Sequence, residues 1–501
     1  MRKQLIEFLK DSLWYSIKPL LTKGLNFLII PIYTAYLTPA EYGDLQYILA
    51  FGALFRNMVR MGMGSAYWKF KSTNSGYDKG EVTKAFVLTQ LFSSSSVLLI
   101  SFFIKFIFFN NSLIALFVVI YFLAETIHII FEDTQIIQRA NRRPKGYVTG
   151  VIAHSVILFL LNAFFIAVLK KDYTWVIYGH LLTFIIVSVI FGRLLTHEMS
   201  GRYNIPLVRE MLKYGIPLML GNIASFVITL SDRFFLKEMA GSEKLGLYSY
   251  GYKFGDLVYS LLITTFFLSW NPIRWDIYEM KNGKEIFSKF NKILFISLPI
   301  LGLLIISVAL ILAQILTVDK DFLKGLNIIF LIGFSHVLYG LFYFNSMGML
   351  FTNKTGKVSQ IIIISGVLNI ILNFALIPTI GIFGAAIATF LSYFAMFILG
   401  SYYGNKYYPI ERSRFFEISQ IVMSVLVMAI LTYYTFYAKN IWQLVLISLI
   451  TSILMLLVNL ALGNIKKQEI NQVKSLLLNA RKKKKRNRNQ ENNIPKDEGS
   501  L

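Results

Sequence analysis

The chain has 501 residues, 55% of them hydrophobic and only 15% charged, with a net charge of +23. Too little charge is present to cover a soluble protein of this size, so a large water-soluble enzyme is excluded. Cysteine is absent, which excludes disulfide frameworks, thiolate metal sites and cysteine nucleophiles.

A helix needs about 20 mostly apolar residues to cross the hydrocarbon core. Such windows fall at 13–36, 43–65, 84–106, 112–137, 147–169, 173–196, 212–236, 245–273, 293–316, 324–351, 357–378, 381–404, 414–437 and 440–463. The fold class is therefore an all-α integral membrane protein of about fourteen transmembrane helices. The basic start Met1-Arg2-Lys3-Gln4 precedes a long apolar stretch with no small-residue cleavage site, which predicts a first membrane helix rather than a removable signal peptide. Breaks are marked by Thr38-Pro39, Asn110-Asn111, Arg142-Arg143-Pro144 and Pro378. Connections do not greatly exceed about 20 residues, leaving no room for an extramembrane catalytic domain.

Lys and Arg set the orientation. With the N-terminus inside, 36 of the 50 basic residues fall on the cytoplasmic side, 8 on the opposite side and 6 within spans. Both termini are predicted to be cytoplasmic. The positive charge lies in loops and tail, so it points to a membrane surface and not to nucleic acid. The tail segment Arg481-Lys-Lys-Lys-Lys-Arg486 either docks on anionic lipid, at roughly 1 kcal/mol per basic residue, or is a disordered topology anchor.

A repeat runs through the chain. Gly43 and Gly246 are 203 residues apart, as are Gly52 and Gly255, and Tyr47 and Tyr250. Tyr15-Ser-Ile-Lys-Pro19 echoes Tyr214-Gly-Ile-Pro217. This predicts two pseudosymmetric six-helix lobes, 1–200 and 201–405, then two further helices over 406–465 and a largely disordered basic tail, 466–501. Paired halves around a midplane site are a transporter design.

Ionisable groups inside spans cost at least about 3 kcal/mol each when unpaired, so they normally face a partner or a wet cavity. The first two spans carry Lys18, Lys23, Arg56 and Arg60; the eighth carries Lys253 and Asp256; the seventh carries Asp232-Arg233. Arg56 and Arg60, four apart, share a helix face. Together these cations suggest a basic cavity for an anionic substrate such as a phosphate, whose oxygens guanidinium binds bidentately. The rival explanation is that Lys18, Arg60 and Arg233 snorkel to the interface. The fourth span carries Glu125, His128, Glu132 and Asp133, the first three on one face. They form a proton or cation relay, or the counter-charge of the second-span arginines, or Glu132 and Asp133 sit at the wet end of the span.

Asn222, Asn369 and Asn373 suit hydrogen bonds between helices, and Gly381-Ile-Phe-Gly384-Ala-Ala-Ile-Ala388 suits close helix approach. Pro19, Pro31, Pro217 and Pro299 suit helix bends. The phosphate-loop pattern G-x-x-x-x-G-K-[ST] and the zinc pattern H-E-x-x-H are both missing from the sequence, which argues against ATP-driven pumping by that loop and against a metal hydrolase.

The segment Pro31-Ile-Tyr-Thr-Ala-Tyr-Leu-Thr-Pro-Ala-Glu-Tyr-Gly-Asp-Leu-Gln46 resembles the opening signature of polysaccharide-biosynthesis flippases, the O-antigen and capsule translocases. Ser231-Asp-Arg-Phe-Phe-Leu236 followed by Gly246-Leu-Tyr-Ser-Tyr-Gly251 resembles their second-half signature. The resemblance implies a multidrug/oligosaccharidyl-lipid/polysaccharide exporter fold in the bacterial inner membrane. It also implies alternating access that carries an undecaprenyl-pyrophosphate-linked oligosaccharide from the cytoplasmic to the periplasmic leaflet. Related lipid II flippases keep head-group-binding basic residues on helices 1, 2 and 8, where Lys18, Lys23, Arg56, Arg60 and Lys253 fall here. The cofactor expectation is none, apart from a coupling H+ or Na+ with Glu125, His128, Glu132, Asp232 or Arg233 as coupling or ion-pair groups. Partners would be the lipid-linked glycan, membrane lipid and other polysaccharide assembly proteins. A drug/cation antiporter would favour an acidic cavity, a polymerase or glycosyltransferase usually needs a large periplasmic loop, and a passive scaffold would not need the cavity charges.

Overall fold

The punctuation of the sequence becomes the helix ends of the computed structural model. It describes residues 24–464 except 26, 73–75, 110–111, 142 and 439. Lys18, Pro19, Lys23, the side chain of Asn222 and the basic tail lie outside the described residues. After α1 (Ile30–Tyr36), Thr38 caps α2 (Pro39–Val59). The Thr38 hydroxyl accepts the Glu41 N–H at 3.2 Å, and the Glu41 carboxylate accepts the Thr38 N–H at 2.8 Å. This reciprocal pairing satisfies two donors that a helix start leaves open, and Pro39 pre-sets the first turn. Left-handed Met61 and Gly62 separate α2 from α3 (Met63–Ser72). Asp78 caps α4 (Lys79–Phe108), and Ser112 caps α5 (Leu113–Ala140). The break at Arg143-Pro144 opens α6 (Pro144–Ala163), which continues as a π-helical turn, and α7 (Thr174–Glu198) follows.

Asn204 caps α8 (Ile205–Ala240), which contains Pro217 and bends by 47° between Ile205–Met219 and Ile223–Ala240. A proline removes one backbone hydrogen bond and crowds the preceding turn, which accounts for the bend. Next come α9 (Ser242–Gly255), a π-helical turn at Val258–Ile263, and α10 (Thr264–Tyr278). The remainder are α11 (Gly283–Leu316), a 3-10 turn at Lys320–Ile328, α12 (Ile329–Asn345), α13 (Met347–Phe351), α14 (Thr355–Ile380), α15 (Ile382–Tyr407), α16 (Arg414–Tyr434) and α17 (Ile441–Ala461). Strands are absent among the described residues. The break expected at Pro378 lies slightly later: α14 runs through this proline to Ile380, and Gly381 at φ 57° ends it.

Every predicted span meets a helix. Ten described helices are long and apolar enough to cross a membrane, or eleven with the bent α8. The exceptions, α1, α2–α3 and α9–α10, are short in their described part or more polar, and the latter two carry the charges singled out above. This is a multi-pass membrane protein. Its lipid-facing surface is plain on α4, where Leu99, Ile100, Phe103, Phe106 and Phe108 are all exposed. Helix α12 is the opposite, almost wholly enclosed.

The chain groups into two compact units. The first takes the described parts of Met1–Tyr250, Ile315–Gly325 and Gly366–Ala385; the second takes those of Gly251–Gln314, Leu326–Ser365 and Ala386–Leu501.

Candidate functional site

In the first unit α2 lies against α5, and Gly52 is the reason they approach so closely. A Cβ there would stand 2.0 Å from the Tyr121 ring. One turn further along, Arg56 and Arg60 reach the acids of α5. Arg56 Nη2 is 3.1 Å from Glu125 Oε1, and its Nη1 is 3.6 Å from Glu132 Oε1. Arg60 donates to Glu132 Oε2. His128 Nδ1 stands 3.5 Å from Glu125 Oε2. The five side chains thus make one ion cluster, with two guanidiniums opposite two carboxylates.

The cluster is open on one side only. Glu125 is fully buried and His128 nearly so, whereas the Arg56 side chain keeps 33% of its exposure and that of Arg60 24%. A charged group half-open at membrane depth needs water or an ionic ligand beside it, because lipid offers neither. The enclosed side is aromatic. The His128 ring stacks on Phe184 of α7 with centroids 3.9 Å apart and planes 7° apart. His154 of α6 lies 5.1 Å from His128, also stacked. His180 of α7 meets Tyr121 and Phe184 edge-on at 5.5 and 5.8 Å. Asp133 turns to the other side, where Gln90 donates to it at 2.7 Å.

His154 and His180 are the residues sequence reasoning missed. Each lies alone in its span, with no partner at helical spacing. The available signal was that three successive apolar spans each carry one histidine.

Asp232 and Arg233 form a second group in the same unit. Arg233 donates to Asp232 at 2.8 Å and to the Thr229 carbonyl at 2.9 Å, and the Tyr248 hydroxyl donates to Asp232. Beside it, Ser231 donates to Asn369 at 3.0 Å, and Asn373 donates to the same amide oxygen at 3.0 Å. These amides tie α8 to α14, the packing role such groups suit in membranes. Lys237 pairs with Asp44, and the Tyr47 hydroxyl donates to Glu238 at 2.8 Å.

Lys253 lies half-buried on α9 in the second unit. Asp256 follows at the break before the π-helical turn; its Oδ2 accepts from Ser260 at 2.8 Å, and its Oδ1 is 3.6 Å from His336 Nε2. No group of His, Asp and Glu among the described residues is arranged to hold a metal ion.

Comparison with known proteins bears on the family and the fold. The family described as "Polysaccharide biosynthesis protein" matches residues 8–277, more than half the chain. An uncharacterized membrane protein of Methanocaldococcus jannaschii is 23% identical over 252 residues, 46% of this chain and 47% of its own length. The match thus spans about half of that relative. The lipid II flippase MurJ, in an inward closed conformation, superposes with a TM-score of 0.67 at 16% identity, covering 91% of this chain and 98% of its own. An inward-facing multidrug resistance transporter of the MATE family, MOP superfamily, gives 0.58 at 14% identity, covering 77% and 94%. At these identities the likeness is one of fold: this chain has the fold of MOP-superfamily transporters.

Proposed function

This chain belongs to the polysaccharide biosynthesis protein family, and from that premise we propose that it is a flippase for lipid-linked oligosaccharide. Its substrate would be an undecaprenyl-pyrophosphate-linked repeat unit. The unit would move from the cytoplasmic to the periplasmic leaflet of a bacterial inner membrane, for O-antigen, capsule or exopolysaccharide assembly, with both termini of the protein cytoplasmic. The observation that carries this reading is the half-open Arg56–Arg60 pair, held at membrane depth by Glu125 and Glu132.

The ion cluster suggests how such a step runs. Pyrophosphate oxygens compete with the two carboxylates for the guanidinium forks, which suit either anion. When the head group takes Arg56 and Arg60, Glu125 and Glu132 lose their counter-charge and draw a proton or cation. Release of the head group on the far side lets the arginines return and expels that ion. Substrate and coupling ion are then bound and released together at a single cluster, which couples one to the other. Lys18, Lys23 and Lys253 are the further head-group-binding residues of this reading.

The test is complementation of a flippase-deficient strain with expression-matched wild type, Arg56→Ala and Lys253→Ala, scoring surface glycan and cytoplasmic-leaflet lipid-linked units. The reading expects wild type to restore surface glycan and Arg56→Ala to accumulate the lipid-linked unit. Shortened polymer with intact export of single repeats would instead mark a polymerase and overturn it.

A further inference from the structure

Helix α12 is the most enclosed of the apolar helices, and of its seventeen residues only Tyr339 and Tyr343 are not buried. They lie four apart, on one face. A carboxylate lies near their opening. Tyr259, 37% exposed, meets the Tyr339 ring edge-on at 5.7 Å, and Tyr259 sits three residues after Asp256 on the π-helical turn. The Asp256 side chain keeps 29% of its exposure. An ionisable side chain that stays part-exposed on a span normally faces an interior cavity rather than lipid. The wall is firmly backed: Tyr339 packs on buried Tyr393 at 5.6 Å, Tyr343 packs on Phe267 at 4.3 Å, and the Tyr343 hydroxyl donates to Asn271 at 3.3 Å.

We propose that Tyr259, Tyr339 and Tyr343, with Asp256 at their edge, form a carbohydrate subsite in the second unit that holds the sugar part of the substrate. The chemistry fits a pyranose. One face of such a ring carries C–H groups that pack on an aromatic ring, and its rim carries hydroxyls that need acceptors. Tyrosine supplies an apolar face with a polar tip, and a carboxylate is an acceptor with several lone pairs. A purely lipid-facing aromatic belt has no use for the carboxylate. Tyr259 lies on a π-helical turn, and such turns recur at functional sites. This inference rests on the flippase reading and gives the uncharged glycan a place within the second unit.

The test uses the full-length protein in nanodiscs and two probes, undecaprenyl pyrophosphate and the oligosaccharide-bearing form of the same lipid extracted from the host strain. Binding is read by native mass spectrometry. Wild type is expected to prefer the sugar-bearing lipid. Tyr339→Ala and Tyr259→Ser each reduce that preference about fivefold, the size of one aromatic contact, and leave the bare lipid unchanged. Tyr339→Phe keeps the preference, and the half-open Tyr259 serves if Tyr339→Ala does not fold. Unchanged preference in both Tyr339→Ala and Tyr259→Ser overturns the subsite and leaves the flippase reading standing. Binding of neither lipid by wild type overturns the flippase reading and the subsite with it.

Discussion

Gly43 and Gly246, 203 residues apart, pack reciprocally against each other's helix starts. A Cβ on Gly43 would stand 1.9 Å from the Ser242 carbonyl oxygen, and one on Gly246 would stand 1.8 Å from that of Pro39. Residues in matching places of the repeat therefore meet at one crossing of α2 and α9. Lys237 latches this crossing through Asp44 and Ser242.

Gly43→Ala and Gly246→Ala should both destabilise, because the obstructing atoms are backbone and cannot swing aside. Overpacking of this kind costs about 1–3 kcal/mol. Gly356→Ala is the control. Nothing lies within 4 Å of its Cβ position, and alanine gains roughly 0.5–1 kcal/mol over glycine inside a helix. Thermal unfolding of the purified protein in detergent should show the first two below wild type and the control at or above it. Equal behaviour of all three variants would remove the close crossing.

The Arg56–Glu125 pair allows fold and function to be separated. Arg56→Gln leaves a fully buried Glu125 without its guanidinium, and breaking a buried pair on one side costs about 3 kcal/mol at least. The double variant Arg56→Gln/Glu125→Gln removes both charges and should recover most of that stability. It should nevertheless remain inactive in glycan export, since the head group has lost its fork. A double variant that is both stable and active would reduce the pair to a structural tie.

The membrane spans were legible because about 20 apolar residues in a row leave few alternatives. The chemistry of the cluster was half legible. Arg56 with Arg60, and Glu125 with His128 and Glu132, stood out by helical spacing, and pairing between the two sets was one of the readings; only the fold joins Arg60 to Glu132, 72 residues away. His154, His180 and the tyrosine wall escaped for a different reason. In an apolar span a single imidazole or phenol reads as packing, and only burial reveals that Tyr339 and Tyr343 are the open positions of α12. The repeat pointed to Gly43 and Gly246 as matching residues, while their mutual contact required the fold.

The stacked histidines predict a pH response. His154 Nε2 is buried with no protein hydrogen-bond partner, an arrangement that is costly to retain without use. The charged and titratable groups around it are His128, Glu125 and Glu132 on α5, His180 on α7, and Arg56 and Arg60 on α2. If the coupling ion is a proton passing through this stack, His154→Phe keeps the aromatic packing, and export measured against external pH becomes flatter than in wild type. An unchanged profile in His154→Phe, with His128→Gln also unchanged, would assign the stack to packing alone.

Orientation can be read directly because the chain has no cysteine, so any introduced thiol is unique. Lys170, at φ 49° in the connection before α7, and Lys281, before α11, are both exposed. The basic-residue bias of 36 against 8 predicts Lys170 outside and Lys281 inside. A membrane-impermeant maleimide on intact spheroplasts should label Lys170→Cys at once and Lys281→Cys only after the membrane is opened. The reverse pattern would invert the proposed direction of transport, since the half-open arginines would then meet their substrate from the other leaflet. Labelling of both from outside would instead break the odd count of crossings, three, expected between them.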